Sequence, residues 1–96
     1  MYNLNKPVTV DNVEFLAMNQ AVITLTNGKV IFNSYGTNIV EIDKAAGITK
    51  VDEYYYNYSA TTSKYRCKFL GELKKETDRK IKEGKYILAD LNESTF

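Results

Sequence analysis

The sequence contains no histidine and only one cysteine among its 96 residues. Without an imidazole, the chain cannot build the Ser/His/Asp or Cys/His arrangements of nucleophilic enzymes. A single thiol also leaves too few nitrogen and sulfur ligands for a transition-metal site. We therefore expect no catalytic residues, no metal and no cofactor, and we expect that the protein is not an enzyme.

The solitary Cys67 excludes an intramolecular disulfide bond, which fits a reducing compartment. No apolar run approaches the roughly 20 residues that a membrane-spanning helix needs. The N-terminus has no basic start followed by an apolar stretch, so we expect no signal peptide. Together these deficits predict a protein of the cytoplasm that does not enter a membrane.

The rest of the composition is that of one small folded domain. Hydrophobic residues make up 44% and charged residues 26% of the chain, which argues against disorder. A chain of this length has room for one modest core. We predict a single domain over residues 1–96, with residues 1–12 as a loose arm or edge strand and residues 92–96 as a tail.

The net charge of +1 conceals a basic segment. Residues 61–86 carry nine basic and four acidic side chains, whereas the stretches on either side carry more acidic than basic ones. Such a segment is typical of a solvated helix face, and it is also found where a protein binds an anionic partner.

Alternating and β-branched residues predict a small antiparallel sheet of about four or five strands. Residues 21–26 and 29–35 alternate on either side of Asn27-Gly28. This pattern predicts a β-hairpin with a type I′ turn. Both central residues of such a turn need a positive φ, and Asn-Gly is a preferred pair for these positions. Gly36 is expected to break or bulge the second of these strands.

Further strands are predicted at residues 37–43, at residues 48–56 and, on the edge of the sheet, at residues 85–91. Between residues 12 and 20, Val13, Leu16 and Ala17 have helical spacing, and Asp11 could cap one or two helical turns.

Residues 61–83 predict the helical layer that covers this sheet, which gives an α+β fold. Tyr65, Phe69 and Leu73 lie four residues apart and form an apolar stripe. Gly71 is expected to divide the segment into helices near residues 61–70 and 72–83. The candidate N-cap residues are Ser59, Thr61 and Thr62, whose hydroxyl groups can accept a backbone N–H; with Ser63 and Lys64 they could alternatively bind a phosphate group.

Three short motifs in this order resemble a set of small phage-encoded and mobile-element proteins of uncharacterised function. The motifs are Asn27-Gly28, the Ser-Tyr-Gly-Thr sequence of residues 34–37, and the Tyr-Ser-Ala-Thr-Thr-Ser-Lys-Tyr-Arg-Cys-Lys-Phe-Leu sequence of residues 58–70. Where the shared module usually has histidine, this chain has Tyr65. The resemblance implies a phage origin and a cytoplasmic setting, and it implies no established activity.

The tyrosine run is the strongest candidate for a protein-binding surface. Tyr54, Tyr55, Tyr56 and Tyr58 would alternate between the two faces of an extended strand. Exposed tyrosine and arginine side chains are common anchors of protein interfaces, whereas half-buried strand tyrosines with their hydroxyls in water are the plainer interpretation. The predicted protein-binding residues are Tyr54, Tyr56, Tyr58 and Arg66.

We accordingly expect a non-enzymatic protein that binds a host or phage protein, for example as an inhibitor of host defence or replication. The alternative is nucleic-acid binding by the basic residues of the segment 61–82 and the neighbouring tyrosines. The residues proposed for that role are Lys64, Arg66, Lys68, Lys75, Arg79 and Lys82. A homodimer formed through an edge strand at residues 85–91 is a third possibility.

Overall fold

A six-stranded sheet with two helices organises residues 7–93, the part of the chain described by the structure, which is a computed structural model. In chain order the elements are β1 Val10–Ala17, β2 Gln20–Leu25, β3 Val30–Ser34, β4 Thr37–Asp43, β5 Ile48–Asp52, α1 Ala60–Leu70, α2 Lys74–Lys82 and β6 Tyr86–Ala89. The strands lie in the sheet in the same order as in the chain. The predicted α+β class is confirmed, with six strands in place of four or five.

The sheet is mixed, because β6 runs parallel to β5 while the other neighbours are antiparallel. A parallel pair needs a long crossover connection, and α1 and α2 supply it. The predicted last strand is present at the edge of the sheet, and it is shorter than the predicted range of residues 85–91.

The hydrophobic core lies between one face of the sheet and the helices. Phe32, Val40 and Val51 are cross-strand partners on β3, β4 and β5 and are fully buried. Since partners across a sheet point to the same face, they form one apolar layer. The Phe69 ring of α1 stacks on the Phe32 ring with centroids 5.6 Å apart, which places α1 over this layer.

The opposite face of the sheet is exposed to solvent near β1. There Val13 pairs with Ile23, which pairs with Ile31, and Phe15 on the same face is 68% exposed.

The helical turns predicted for residues 12–20 are wrong, because this segment forms β1. Val13 and Phe15 alternate along the strand and pair with Ile23 and Ala21 of β2. Ladder hydrogen bonds to β2 satisfy the backbone here, and this tertiary pairing outweighs the helical spacing of a few apolar residues. Of the predicted loose arm, residues 1–6 lie outside the described residues.

The hairpin predicted at Asn27-Gly28 is confirmed, but its turn is not type I′. Gly28 has a φ of +86°, whereas Asn27 is not among the residues with positive φ. The Gly28 N–H donates to the Leu25 carbonyl at 2.9 Å. Thr26 and Asn27 therefore occupy the centre of the turn, and Gly28 follows in the left-handed region. This is the longer hairpin loop that is built on a type I turn.

The predicted helix boundaries are close to those observed. The side chain of Ser59 accepts the Thr62 N–H at 3.1 Å, so Ser59 is the N-cap among the three candidates. Helix α1 ends at Gly71, whose N–H donates to the Cys67 carbonyl at 2.8 Å. The helical segment is thus divided at Gly71, as the sequence predicts.

The strand predicted for residues 48–56 ends early, at Asp52. The carboxylate of Asp52 accepts the N–H of Tyr54 at 3.1 Å and that of Tyr55 at 2.9 Å. An aspartate side chain that bonds to the backbone two residues later bends the chain into a turn. The tyrosines therefore lie in a compact turn and do not alternate along a strand.

Candidate functional site

Two of the motifs meet at one cleft of about 550 Å³, within the size range of ligand pockets. We call it the tyrosine cleft. Its lining residues are Ser34, Tyr35, Gly36, Thr37, Ile39, Tyr55, Tyr58, Thr62 and Asn92. The first four of these form the Ser-Tyr-Gly-Thr motif, and Tyr58 and Thr62 belong to the motif of residues 58–70. Segments that are distant in the chain thus form one site.

The Ser-Tyr-Gly-Thr motif is the tight turn between β3 and β4. Ser34 and Thr37 are cross-strand partners, and the two residues between them have positive φ values of 53° for Tyr35 and 81° for Gly36. Two consecutive positive φ values are the requirement of a type I′ hairpin turn. Gly36 therefore lies in the turn that closes the hairpin, whereas the sequence pattern predicts that it breaks or bulges β3.

Tyr35 is an unusual residue for the first position of this turn. A bulky side chain in the left-handed region costs about 1–2 kcal/mol, and such strain concentrates at functional sites. The Tyr35 side chain is not held in the core, since it is 57% exposed. It lines the cleft instead, so the strained turn presents an aromatic ring to solvent.

A chain of hydroxyl groups joins the two motifs beneath the cleft. The Ser34 Oγ lies 2.9 Å from the Thr62 Oγ1, and both residues are buried. The Ser59 Oγ donates to the same Thr62 Oγ1 at 3.1 Å and also caps the helix. Because these hydroxyls bond to one another and to the backbone, they act as a helix cap and as an anchor of α1 on β3, and this weakens the phosphate-binding alternative.

The turn at residues 53–58 supplies the tyrosine wall of the cleft. Tyr54 and Tyr58 are 67% and 70% exposed, and Tyr55 lies between them. The Tyr55 ring meets the Tyr58 ring edge to face at 5.7 Å and the Tyr54 ring at 6.4 Å. Edge-to-face contacts fix the rings relative to one another, so the wall is organised before any partner binds.

Asn92 also lines the cleft. Its side-chain oxygen accepts the Asn38 N–H at 2.7 Å, and its side-chain nitrogen donates to the Asn38 carbonyl at 2.8 Å and to Asp52 at 3.0 Å. Asn92 is therefore part of the folded site and not of the tail predicted for residues 92–96. The last three residues of that range lie outside the described part of the chain.

Arg66 does not fit its predicted role as an exposed anchor for protein or nucleic acid. Its side chain is completely buried. One guanidinium nitrogen donates to the Tyr56 carbonyl, another donates to the Ser63 hydroxyl at 3.2 Å, and the guanidinium lies 5.6 Å from the centroid of the Tyr56 ring. Arg66 thus holds the tyrosine turn against α1, and it shapes the cleft from beneath.

Tyr56 also differs from its predicted role. It is half-buried, packs on the core, and donates its phenol proton to Asp78 at 3.4 Å. Of the predicted protein-binding residues, only Tyr54 and Tyr58 are exposed.

The exposed basic residues do not gather at the cleft. Lys64 and Lys68 both lie over the Tyr65 ring, at 5.3 and 5.4 Å from its centroid. On α2, the Arg79 guanidinium lies 4.0 Å from Glu83, and Lys75 and Lys82 are exposed. The acidic residues interspersed along α2 dilute the positive field that a nucleic-acid backbone would require.

Three carboxylates, those of Glu53, Asp90 and Asp52, lie close to Tyr54. The negative charge of the Glu53 carboxylate raises the pKa of Tyr54, and the negative charges of Asp90 and Asp52 add to this shift. The Asp90 carboxylate lies beside the cleft, since it accepts the N–H of the lining residue Asn92 at 3.0 Å. The charges close to Tyr54 are therefore negative.

Within residues 7–93, no group of three or more aspartate, glutamate or cysteine side chains is placed to hold a metal ion. Cys67 is half-buried on α1. Neither of the two helices in the described part of the chain is long and apolar enough to span a bilayer.

Residues 4–85 match the model of a protein family described as a family of unknown function, DUF8033. The chain belongs to this family. Searches of curated proteins and of solved structures found no match.

Sequence reasoning missed Tyr35, Tyr55 and Asn92 as site residues. Tyr35 carried a usable signal, since asparagine, aspartate and glycine are the usual first residues of a type I′ turn and tyrosine is not. Asn92 carried no such signal, because its partners Asn38 and Asp52 are distant in the sequence.

Proposed function

We propose that this protein is a non-enzymatic binding module whose tyrosine cleft captures a segment of a partner protein. The observation that carries the proposal is the convergence of the two motifs on a cleft with four tyrosines in or beside it. Tyr35, Tyr54 and Tyr58 are each more than half exposed. Tyrosine provides a large contact area at a small cost in conformational entropy, which suits it to interface anchors.

A prearranged wall supports binding over catalysis. The rings of Tyr54, Tyr55 and Tyr58 hold one another edge to face, and Arg66 and Asp52 fix the backbone beneath them. Binding sites gain affinity when their side chains are ordered before the partner arrives.

The resemblance to phage and mobile-element proteins makes a host protein the partner that we expect, with inhibition of a defence or replication component as the outcome in the host cytoplasm. Nucleic-acid binding is the weaker alternative. Arg66 is unavailable to a nucleic acid because it is buried, and the Glu53 and Asp90 carboxylates lie close to the exposed Tyr54.

The test compares three proteins as bait in a host lysate: the wild type, Tyr35→Ala with Tyr58→Ala, and Phe15→Ser. Phe15 is exposed on the other face of the sheet and serves as the matched control. We expect the double variant to lose a partner that the wild type and Phe15→Ser both retain. Titration of the purified partner should then show at least about a tenfold loss of affinity, as for interface anchors.

Retention of the partner by the double variant would refute the role of the cleft, and loss only with Phe15→Ser would move the binding site to the open face of the sheet. A gel-shift assay with mixed DNA and RNA at low salt examines the alternative. A shift that weakens steeply with salt and with Lys64→Ala and Lys68→Ala would favour nucleic acid.

A further inference from the structure

The residues that line the tyrosine cleft include no lysine, arginine, aspartate or glutamate. Ligand contacts inside the cleft are therefore restricted to aromatic rings, hydroxyl groups, the Asn92 amide, the Ile39 side chain and backbone atoms. A phosphate or a carboxylate would find no cation among the lining residues. The Arg66 guanidinium, which lies beneath the tyrosine turn, is buried and already bonded to the Tyr56 carbonyl and the Ser63 hydroxyl.

The start of α1 offers no replacement for a cation. Its first turn contains no acidic residue, which by itself would favour an anion. However, Ser59 occupies the Thr62 N–H, and the Thr62 hydroxyl is shared with Ser34 and Ser59. The groups that would bind an anion are thus engaged within the protein.

The rim of the cleft carries negative charge instead. Glu53 is exposed and adjoins Tyr54, and Asp90 is exposed and bonded to the backbone of Asn92. The nearby Asp52 is also ionisable, but it is buried and receives four hydrogen bonds, from the backbone of Tyr54, Tyr55 and Leu91 and from the Asn92 side chain. Glu53 and Asp90 are consequently the carboxylates that a partner can reach.

Exposed tyrosine faces beside these carboxylates suit a cation. A lysine or arginine head group over a tyrosine ring gains electrostatic attraction from the ring quadrupole. The same head group can approach the Glu53 or Asp90 carboxylate. Aromatic rings and carboxylates therefore favour the same sign of charge in the ligand.

The position of the cleft indicates how the ligand lies. None of its lining residues belongs to β1 or β6, the two edge strands of the sheet. Its ligand therefore does not join the sheet as an added strand. An aromatic-lined groove of this size accommodates a short extended segment, as in recognition of polyproline-type peptides.

The geometry points to an extended, cationic peptide segment as the ligand of the tyrosine cleft, with a lysine or arginine of that segment placed between the exposed tyrosine rings and the Glu53 and Asp90 carboxylates. This inference rests on the proposed function, since it names the chemistry of the segment that the cleft captures.

The test selects ligands from a display library of random decapeptides on the full chain. We expect the selected peptides to be enriched in lysine and arginine relative to the starting library. Their affinity should fall about twofold to fivefold for each of the changes Glu53→Gln and Asp90→Asn, the range for an exposed ion pair. Asp90→Asn retains the oxygen that accepts the Asn92 N–H, and Glu14→Gln, exposed on β1, is the control that should change nothing.

The outcomes separate the two proposals. One outcome is that Tyr58→Ala abolishes peptide binding, while the selected peptides are not enriched in lysine or arginine and their affinity does not change with Glu53→Gln or Asp90→Asn. That outcome would overturn the cationic ligand and leave the cleft as the binding site. If neither Tyr35→Ala nor Tyr58→Ala changes the affinity of the selected peptides, the cleft is not the binding site. Selection of acidic peptides, or of none, would overturn the inference of an extended cationic segment.

Discussion

The hydroxyl oxygen of Ser34 lies 2.9 Å from that of Thr62, and this contact joins the last residue of β3 to the first turn of α1. Both side chains are buried, so neither hydroxyl can replace its partner with bulk water. The contact connects the two motifs of the chain directly, and it holds the two sides of the tyrosine cleft in a fixed relation.

Thr62→Val is predicted to destabilise the protein by about 1–3 kcal/mol, because it leaves the buried Ser34 hydroxyl without its partner. The measurement is equilibrium unfolding in urea. The double variant Ser34→Ala with Thr62→Val should lose less than the sum of the two single changes, since it removes both partners. Thr61→Val, on the exposed side of α1, is the control; an equal loss there would show that the hydrogen bond is unimportant.

Tyr35→Asn is predicted to stabilise the protein while it weakens partner binding. Asparagine tolerates the left-handed backbone of this turn better than tyrosine does, and about 0.5–1 kcal/mol of strain should be relieved. Little apolar burial is lost, because the Tyr35 side chain is 57% exposed. Urea unfolding and titration of the captured partner measure the two effects. A loss of stability without any change in affinity would contradict the functional role given to Tyr35.

Arg66→Lys is predicted to cost about 1.5–3 kcal/mol of stability, the usual range for hydrogen bonds to charged groups. A lysine has no planar fork, so it cannot satisfy both the Tyr56 carbonyl and the Ser63 hydroxyl. Amide hydrogen exchange should also accelerate at Tyr58, whose N–H bonds within the tyrosine turn.

The matched control for this change is Lys64→Arg, the reverse exchange at an exposed position of the same helix. It should alter stability by no more than about 0.5 kcal/mol. Unchanged protection at Tyr58 in Arg66→Lys would show that Arg66 does not position the turn.

The protein is predicted to lose stability in acid because the Glu72 carboxylate is hydrogen-bonded in the fold. Burial of Glu72 opposes its ionisation, but hydrogen bonds from Tyr86, Lys80 and Thr77 outweigh this effect and lower its pKa below the ordinary value of 4.5. A carboxyl group whose pKa is lower in the folded state stabilises the fold above the unfolded-state pKa, and this contribution disappears as the pH falls through the folded-state pKa.

The free energy of unfolding should therefore fall more steeply below pH 4.5 in the wild type than in Glu72→Gln. Urea unfolding of both proteins at pH 7 and at a series of lower pH values measures the difference. Glu76→Gln, in the first turn of α2, is the control. Parallel pH profiles for the wild type and Glu72→Gln would contradict the role of this network.

Local sequence patterns predicted most of the elements correctly. The Ser59 cap, the end of α1 at Gly71 and the hairpin around Asn27-Gly28 depend on hydrogen bonds between residues close in the chain. Patterns of that range can be recognised from residue type alone. The predicted helix within residues 12–20 failed because the partner that decides the conformation, β2, lies beyond the local window.

The site was harder to predict than the elements. The tyrosine run matched a strand pattern, but the Asp52 carboxylate bends it into a turn through its bonds to Tyr54 and Tyr55. Arginine is usually a surface residue, so Arg66 was expected to be exposed. In the structure it is buried beneath the tyrosine turn, to whose Tyr56 carbonyl it donates a hydrogen bond. No local pattern distinguishes a buried arginine from an exposed one.

The sequence by itself determined the chemical inventory, the order of strands and helices from β2 to β6, and the cap residues of α1, because each depends on residue type or on short-range hydrogen bonds. Only the tertiary structure decided that the Ser-Tyr-Gly-Thr turn, the tyrosine turn, the start of α1 and Asn92 share one cleft. Their contacts depend on strand register and on packing between distant segments. Those relations are set by the whole core, so they become visible only when the chain is folded.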